Sequence, residues 1–279
     1  VYKRQVAKTA GFCFGVKRAV EKVYANVDKE HVYTYGPIIH NEQVVADLEK
    51  HGVKVVEEDT DLTQLSEGTI VVRAHGASRA EFDRLRECGM QIEDATCPFV
   101  SKIYRIVEEE SKAGRTVIIV GNAAHPEVRG IRGWSGEDTY VVGSIEEANN
   151  LNILAKNISI VSQTTFNLKK FKEIVEIFEK KGYDIKCLNT ICNATEVRQT
   201  EARQIASQVD AMIVIGGKNS SNTQKLFEIC KEECSNTYYI QTAEDLDYTA
   251  IRGMQRIGIT AGASTPKNII EEVQTRCQI

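Results

Sequence analysis

Three cysteines with the same local setting are the residues of this chain best suited to bind a metal. Cys13, Cys97 and Cys192 each lie at a turn that opens a helical pattern. Gly11 and Gly15 flank Cys13, and glycine lets the backbone approach a ligand closely. Amide groups at a helix start favour the thiolate, which is the form that binds metals. Cys13 taken alone fits equally well as a small apolar residue between a strand and a helix.

The wide spacing of these cysteines favours an iron–sulfur cluster over a structural zinc site. Zinc sites usually take paired ligands from C-x-x-C segments, and the sequence has none. Iron–sulfur clusters normally have four cysteine ligands, so three would leave one iron open to a substrate. Cys230 and Cys234 are four residues apart on an apolar helical pattern and are predicted to pack in the core. Cys88, Cys187 and Cys277 lack the shared setting and are interpreted as incidental thiols.

Three histidines occupy the loops that follow predicted strands, among small residues that leave room for a ligand. They are His40, His75 and His125. Glu127 follows His125 by two positions, and Pro126 stiffens the connection between them. An H-x-E pair also occurs in zinc hydrolases, but the helical H-E-x-x-H pattern is absent here.

Hydroxyl and amide side chains in the other loops extend this predicted site. With the imidazoles they form a donor-rich, weakly charged set that suits an anion such as a diphosphate. The sequence lacks G-x-x-x-x-G-K-[ST], so phosphoryl transfer is not predicted and the phosphates would serve as a binding handle. These donors are Thr164, Thr165, Ser220, Ser221, Asn222 and Ser264.

Apolar, β-branched runs alternate with helical patterns along the chain and must position these loops. This alternation predicts an α/β protein with largely parallel sheets. Ligands of such sheets bind beyond the carboxyl ends of the strands, where the polar residues of this chain concentrate. Helices are predicted over 168–180 and through Val197 and Ile205, among others. The clearest predicted strands cover 32–35, 69–72, 116–120, 158–161, 211–215 and 256–260.

The cysteines also suggest an internal repeat. Each interval between Cys13, Cys97 and Cys192 holds about two strand–loop–helix units, the size of a small α/β domain. We therefore predict three similar α/β units, covering 1–96, 97–191 and 192–279, each of which contributes one thiol. No linker rich in proline, glycine or serine separates them, so the units are predicted to pack closely.

The composition is that of an ordinary globular protein. Of 279 residues, 42% are hydrophobic and 27% are charged, and the net charge is -4. Because there is no basic block, nucleic acid is not predicted as a partner. No apolar run reaches the roughly 18 residues of a membrane span, so no membrane partner is predicted either. Eight cysteines in a chain of this size are interpreted as thiols or metal ligands, which predicts a cytoplasmic location.

Taken together, the motifs resemble those of the 4-hydroxy-3-methylbut-2-enyl diphosphate reductase family, also called IspH or LytB. The motifs occur in the order of the family, from about Lys8 to about Val273. They are specific as a set, although no single motif would be. It is carried by the segments 11–16, 40–41, 74–76, 94–98, 125–128, 163–165, 218–222 and 261–264.

The resemblance implies three α/β units in a pseudo-threefold trefoil around a central [4Fe-4S] cluster. It implies that Cys13, Cys97 and Cys192 ligate the cluster, which oxidation converts to [3Fe-4S], and that the fourth iron binds the substrate hydroxyl. Glu127 matches the proton donor of the family, assisted by His125 and Thr164. The positions implied to bind substrate are His40, His75, His125, Thr164, Thr165, Asn193, Ser220, Ser221, Asn222 and Ser264.

The implied reaction is reductive dehydroxylation of 4-hydroxy-3-methylbut-2-enyl diphosphate to isopentenyl and dimethylallyl diphosphate, the last step of the methylerythritol phosphate route. Two single electrons would pass through the cluster from a donor such as ferredoxin or flavodoxin, and the hydroxyl would leave as water. Three alternatives remain at this stage: another iron–sulfur hydro-lyase, a redox or iron sensor, and an α/β module with incidental cysteines. A diphosphate pocket argues against the first, and Glu127 with three imidazoles argues against the second.

Overall fold

The computed structural model of the chain describes residues 3–65 and 67–277. Across these residues, strands and helices alternate, and every strand pair is parallel. The predicted α/β class with parallel sheets is therefore confirmed. Within the described ranges, no helix is long and apolar enough to cross a membrane.

The strands form three sheets of four strands each. Their bounds are β1 Lys3–Val6, β2 Val32–Tyr35, β3 Lys54–Val56, β4 Thr69–Val72, β5 Gln91–Asp94, β6 Thr116–Val120, β7 Thr139–Val142, β8 Asn157–Ser162, β9 Asp184–Cys187, β10 Ala211–Ile215, β11 Thr237–Ile240 and β12 Arg256–Ala261. The sheet orders are β3-β2-β4-β5 (sheet I), β7-β6-β8-β9 (sheet II) and β11-β10-β12-β1 (sheet III).

Helices fill most of the connections between strands. Their bounds are α1 Phe14–Tyr24, α2 Glu42–Lys50, α3 Arg79–Glu87, α4 Pro98–Lys112, α5 Pro126–Trp134, α6 Ile145–Asn150, α7 Leu168–Lys180, α8 Asn193–Ala206, α9 Ser221–Glu233 and α10 Lys267–Arg276. The helix predicted over 168–180 is α7 and has those bounds.

The three sheets share one plan. Each has two internal strands and one edge strand that ends shortly before a cysteine, and these edge strands are β5, β9 and β1. In sheets I and II all four strands come from one stretch of sequence. In sheet III, β1 from the amino-terminal segment pairs with β12, and Val6 aligns with Ile259. The predicted boundaries at 96/97 and 191/192 remain a prediction.

The described chain divides into two compact units. The first lies within Val1–Lys17, His40–Ala46 and Asn193–Ile279 and contains sheet III. The second lies within Arg18–Ile39 and Asp47–Cys192 and contains sheets I and II.

The internal strands form the cores of these units. Every residue of β2, β4, β6 and β10 is buried, as expected for parallel strands covered on both faces. The predicted core packing of Cys230 and Cys234 is confirmed, because both are buried against Ala202, Met212 and Leu226.

The helix predicted through Val197 and Ile205 is α8. Within it Ile205 is buried, whereas Val197 is 46% exposed. The buried stripe of α8 contains Thr195, Arg198 and Ala202, whose spacing of three and four residues is that of one helical face. A buried arginine thus replaces an apolar residue in this stripe.

Candidate functional site

Each of the three predicted metal-binding cysteines directly precedes a helix, at the starts of α1, α4 and α8. The backbone N–H of each cysteine donates to a carbonyl two residues beyond the end of the neighbouring internal strand. This places the three cysteines in equivalent backbone positions of three sheets. The acceptors for Cys13, Cys97 and Cys192 are the carbonyls of Ala263 (3.3 Å), Ala74 (3.0 Å) and Thr164 (3.0 Å).

The thiols at these positions are accessible. Cys13, Cys97 and Cys192 are partly exposed, and none of the eight cysteines, all of which lie in the described ranges, is in a disulfide. The backbone N–H of each cysteine is fixed by a hydrogen bond, whereas the residue as a whole is only partly buried. Such a thiol is suited to bind a ligand without rearrangement of the chain.

In the second unit, two of the predicted imidazoles lie side by side. His75 follows β4, and His125 is the N-cap of α5. Their ring centroids are 5.3 Å apart, with the rings nearly perpendicular. Nδ1 of His125 accepts the backbone N–H of Glu127 at 3.1 Å. Because Nδ1 is the acceptor, the neutral ring carries its proton on Nε2 and offers an N–H donor there.

Glu127 is held in the first turn of α5 and is 2% exposed. Its Oε1 accepts the backbone N–H of Thr164 at 2.6 Å, and its Oε2 accepts the Thr164 hydroxyl at 2.8 Å. The Thr164 carbonyl accepts the backbone N–H of Cys192. One residue, Thr164, therefore connects the buried carboxyl group to a predicted cluster ligand.

Burial raises the pKa of Glu127 from 4.5 to about 7, even though the two hydrogen bonds from Thr164 act in the opposite direction. Between pH 4.5 and about pH 7, Glu127 therefore keeps its proton in the folded chain and releases it in the unfolded chain. The free energy of unfolding falls as the pH rises through this window, by roughly 3 kcal/mol in total.

We expect the Glu127→Gln variant to lack this fall, since glutamine does not ionise. The measurement is urea unfolding, followed by circular dichroism, at a series of pH values from about 4 to about 8. Glu147→Gln is the control, because Glu147 also lies in the first turn of a helix and accepts a backbone N–H, but is exposed. If Glu127→Gln and wild type lose stability equally as the pH rises, the carboxyl is not a buried acid.

In the first unit, a set of hydroxyl and amide groups lies beyond β10 and β12. The Ser264 hydroxyl donates to the His40 carbonyl at 3.1 Å and lies 3.4 Å from the Ser220 hydroxyl. Oδ1 of Asn222 accepts the backbone N–H of Ala263 at 3.0 Å. Ser264, Ser220 and Asn222 are all at least 95% buried. The structure thus brings Ser220 and Ser264 together at the His40 carbonyl, with Asn222 bonded to the residue before Ser264.

The remaining predicted residues also lie in loops or at helix starts. Thr165 is next to Thr164, and its hydroxyl accepts from Nε2 of Gln163 at 3.1 Å. Ser221 is the first residue of α9 and Asn193 the first of α8, at the amide-rich end of each helix. These positions suit donors for an anion.

Several positioning residues were missed from the sequence. Arg73 donates to the Gly76 carbonyl at 3.3 Å, and the Tyr104 hydroxyl donates to the His75 carbonyl at 3.3 Å, so both hold the His75 loop. Arg18 and Arg198 donate to carbonyls close to cysteines. The contacts of Arg18, Tyr104 and Arg198 left no signal in the sequence, because each joins a helical side chain to a backbone carbonyl of another segment.

Known proteins resemble this chain over nearly its whole length. A family model described as LytB protein matches residues 5–278. A Caldanaerobacter subterraneus protein named 4-hydroxy-3-methylbut-2-enyl diphosphate reductase is 48% identical over 272 residues, covering 96% of this chain and 94% of its own. A Geobacter sulfurreducens protein of the same name is 47% identical over 274 residues, covering 98% and 96%.

Two solved structures also match. The E-1-hydroxy-2-methyl-but-2-enyl-4-diphosphate reductase of Plasmodium falciparum has a TM-score of 0.93 and 29% identity, covering 99% of this chain and 87% of its own. A second structure, titled as (E)-4-hydroxy-3-methyl-but-2-enyl diphosphate reductase, the terminal enzyme of the non-mevalonate pathway, has a TM-score of 0.69 and 41% identity, covering 100% and 99%. The chain therefore belongs to the LytB protein family, as its motifs predicted.

Proposed function

We propose that this chain reduces 4-hydroxy-3-methylbut-2-enyl diphosphate to isopentenyl and dimethylallyl diphosphate, the last step of the methylerythritol phosphate route. The names of its relatives supply the reaction. The observation that carries the proposal for this chain is the connection made by Thr164, which joins a buried acid, Glu127, to the backbone of Cys192. Overall, the substrate takes up two electrons and two protons and loses its hydroxyl as water.

The family implies an iron–sulfur cluster, and the cysteine thiols of this chain are suitable ligands for one. Thiolates are the ligands that such clusters take. Cys13, Cys97 and Cys192 are three partly exposed thiols in equivalent backbone positions, a fit that does not extend to the buried Cys230 and Cys234. We infer that these three ligate a [4Fe-4S] cluster that loses one iron on oxidation. When bound, the cluster would supply the electrons one at a time and an iron able to polarise the substrate oxygen.

Glu127 is suited to supply the proton that leaves with the hydroxyl group. Hydroxide is a poor leaving group, so an acid must protonate it as the C–O bond breaks. An acid with a pKa of about 7 keeps its proton near neutral pH and gives it up readily. Protonated Glu127 donates to the Thr164 hydroxyl oxygen across the same 2.8 Å, the reverse of the bond to the ionised carboxylate, and the Thr164 hydroxyl then passes its own proton on.

Hydrogen-bond donors hold the diphosphate. His75, Thr165 and His125, the last through its Nε2–H, are among these proposed donors. The others are His40, Asn193, Ser220, Ser221, Asn222 and Ser264. Imidazole, hydroxyl and amide donors bind an anion by hydrogen bonds and leave its own charge available beside the reacting carbon atoms. The electron donor is a ferredoxin or a flavodoxin, and the predicted cytoplasmic location stays a prediction.

The test of this function is turnover by the anaerobically purified chain. Iron and sulfide are counted first, and the chain is then given 4-hydroxy-3-methylbut-2-enyl diphosphate with a chemical reductant. We expect isopentenyl and dimethylallyl diphosphate by mass spectrometry, in amounts well above one per chain. A chain that holds iron and sulfide but leaves the substrate unchanged would be a sensor, and the proposed function would be wrong.

A further inference from the structure

Arg198 joins two elements next to Cys13. It lies on α8 and is 3% exposed. Its Nη1 donates to the Ala261 carbonyl at 3.1 Å, and its Nη2 donates to the Gly11 carbonyl at 2.8 Å. Ala261 ends β12, and Gly11 lies two residues before Cys13. A single guanidinium group therefore ties the end of an internal strand to the loop that carries the cysteine.

The Gly11 loop needs such a restraint. Gly11 has a φ of +97°, and a Cβ at this position would lie 3.2 Å from Cδ1 of Ile270. Glycine adopts this conformation easily but also leaves it easily in the absence of other contacts. The hydrogen bond from Arg198 fixes the Gly11 carbonyl, and the backbone N–H of Cys13 is fixed in turn by Ala263. These two hydrogen bonds fix the backbone at Cys13 and so set the direction of its Cα–Cβ bond.

The same device occurs at Cys97. Nη1 of Arg18, on α1, donates at 2.9 Å to the carbonyl of Thr96, the residue before Cys97. Arg18 lies five residues after Cys13, and Arg198 lies six residues after Cys192. Thus an arginine on the helix after one cysteine holds the loop before another cysteine, twice in this chain. Such repetition in two sheets indicates a role tied to the cysteines.

A guanidinium is also a permanent positive charge. Arginine stays protonated in proteins, and in a buried position its field is weakly screened. An iron–sulfur centre with three thiolate ligands gains negative charge when it takes up an electron. A fixed cation bonded to the carbonyl of Gly11, two residues before the proposed ligand Cys13, therefore makes the reduced form more favourable.

We propose that Arg198 is a positioning residue for the cluster: it orients the Cys13 loop and favours the reduced cluster by its charge. This inference rests on the cluster of the proposed function. Residues that support a metal ligand typically change metal retention by roughly 10–100-fold when they are replaced. Arg198 is expected to lie in this range because its hydrogen bonds to Ala261 and Gly11 reach both segments that set Cys13.

The test compares three variants of the anaerobically purified, cluster-loaded chain. Arg198→Met removes both hydrogen bonds and the charge, whereas Arg198→Lys keeps the charge but lacks the fork that reaches two carbonyls. Arg203→Met is the matched control, since Arg203 lies on the same helix but pairs with Glu232 and Glu233 at the surface. The readouts are the rate of iron loss to a chelator, the midpoint potential followed by electron paramagnetic resonance, and the melting temperature by circular dichroism.

We expect Arg198→Met to lose iron roughly 10–100-fold faster than wild type and to have a more negative midpoint potential. Arg198→Lys should lose iron at an intermediate rate with a potential close to that of wild type, and Arg203→Met should match wild type in both. Wild-type iron loss and potential in Arg198→Met would overturn the inference, as would equal changes in Arg203→Met.

Failure of this inference is distinguishable from failure of the proposed function. If the wild-type chain holds a cluster and turns over substrate while Arg198→Met retains iron normally, only the role of Arg198 is wrong. If the wild-type chain binds no cluster, the proposed function fails first and the inference fails with it. Should Arg198→Met not fold, Arg198→Lys decides alone: faster iron loss supports the role, and unchanged iron loss overturns it.

Discussion

Glutamine in place of Glu127 will lower turnover by about 10²–10⁴-fold and leave the iron content of the chain unchanged. Glutamine has the shape of glutamate and keeps both contacts with Thr164, because its oxygen accepts the backbone N–H and its amide donates to the hydroxyl. It has no acidic proton to give to the leaving hydroxyl group. Turnover with a chemical reductant and iron counting on the same sample measure the two quantities together.

The pH dependence of wild-type turnover gives an independent check on this assignment. With a pKa of about 7, Glu127 loses its proton above neutral pH, so turnover should decline on the alkaline side of about pH 7. Glu147→Gln, the exposed control, should keep full turnover and the same decline. A Glu127→Gln variant that retains more than about a tenth of wild-type turnover would exclude Glu127 as the acid, since general acids contribute at least about 10²-fold.

Serine in place of Cys192 will remove the cluster and with it the reductase activity. Serine preserves the backbone N–H that donates to Thr164 and is a good N-cap for α8, so the fold should persist. Its oxygen is a poor substitute for a thiolate on iron. The loss of iron affinity should be at least the roughly 10–100-fold seen when a residue that merely supports a ligand is replaced.

Cys187→Ser is the matched control for this variant. Cys187 lies at the end of β9, five residues before Cys192, and is exposed. The Cys187→Ser variant should have the iron content, sulfide content and turnover of the wild type. Iron and sulfide analysis after anaerobic reconstitution compares the two variants. Equal iron content in Cys192→Ser and wild type would remove Cys192 from the ligand set.

The internal strands could be predicted from the sequence, and the edge strands mostly could not. All six strands predicted most clearly, from 32–35 to 256–260, are internal strands of the three sheets. Such strands are covered on both faces and so appear as continuous apolar runs. The edge strands β3, β5 and β9 are largely exposed or half-buried, and their mixed sequences lack that signal.

The candidate site was predictable where its residues lie at the ends of those internal strands. His75, Thr164 and Ser264 each follow an apolar run that is easy to find, which is why their loops stood out. Tyr104 and Arg198 act from within helices on the backbone carbonyls of His75 and Gly11, which are 29 and 187 residues away. No spacing rule connects a helical side chain to such a carbonyl, so these contacts become visible only in three dimensions.

The pairing of β1 with β12 has a consequence for the order in which the molecule is completed. Sheets I and II close from neighbouring stretches of sequence, and a growing chain can form them early. β1 must wait for its partner, which the ribosome adds roughly 250 residues later. The loop of Cys13 waits with it, because Ala263 accepts its amide. The proposed set of three thiols can therefore be complete only after translation has passed β12.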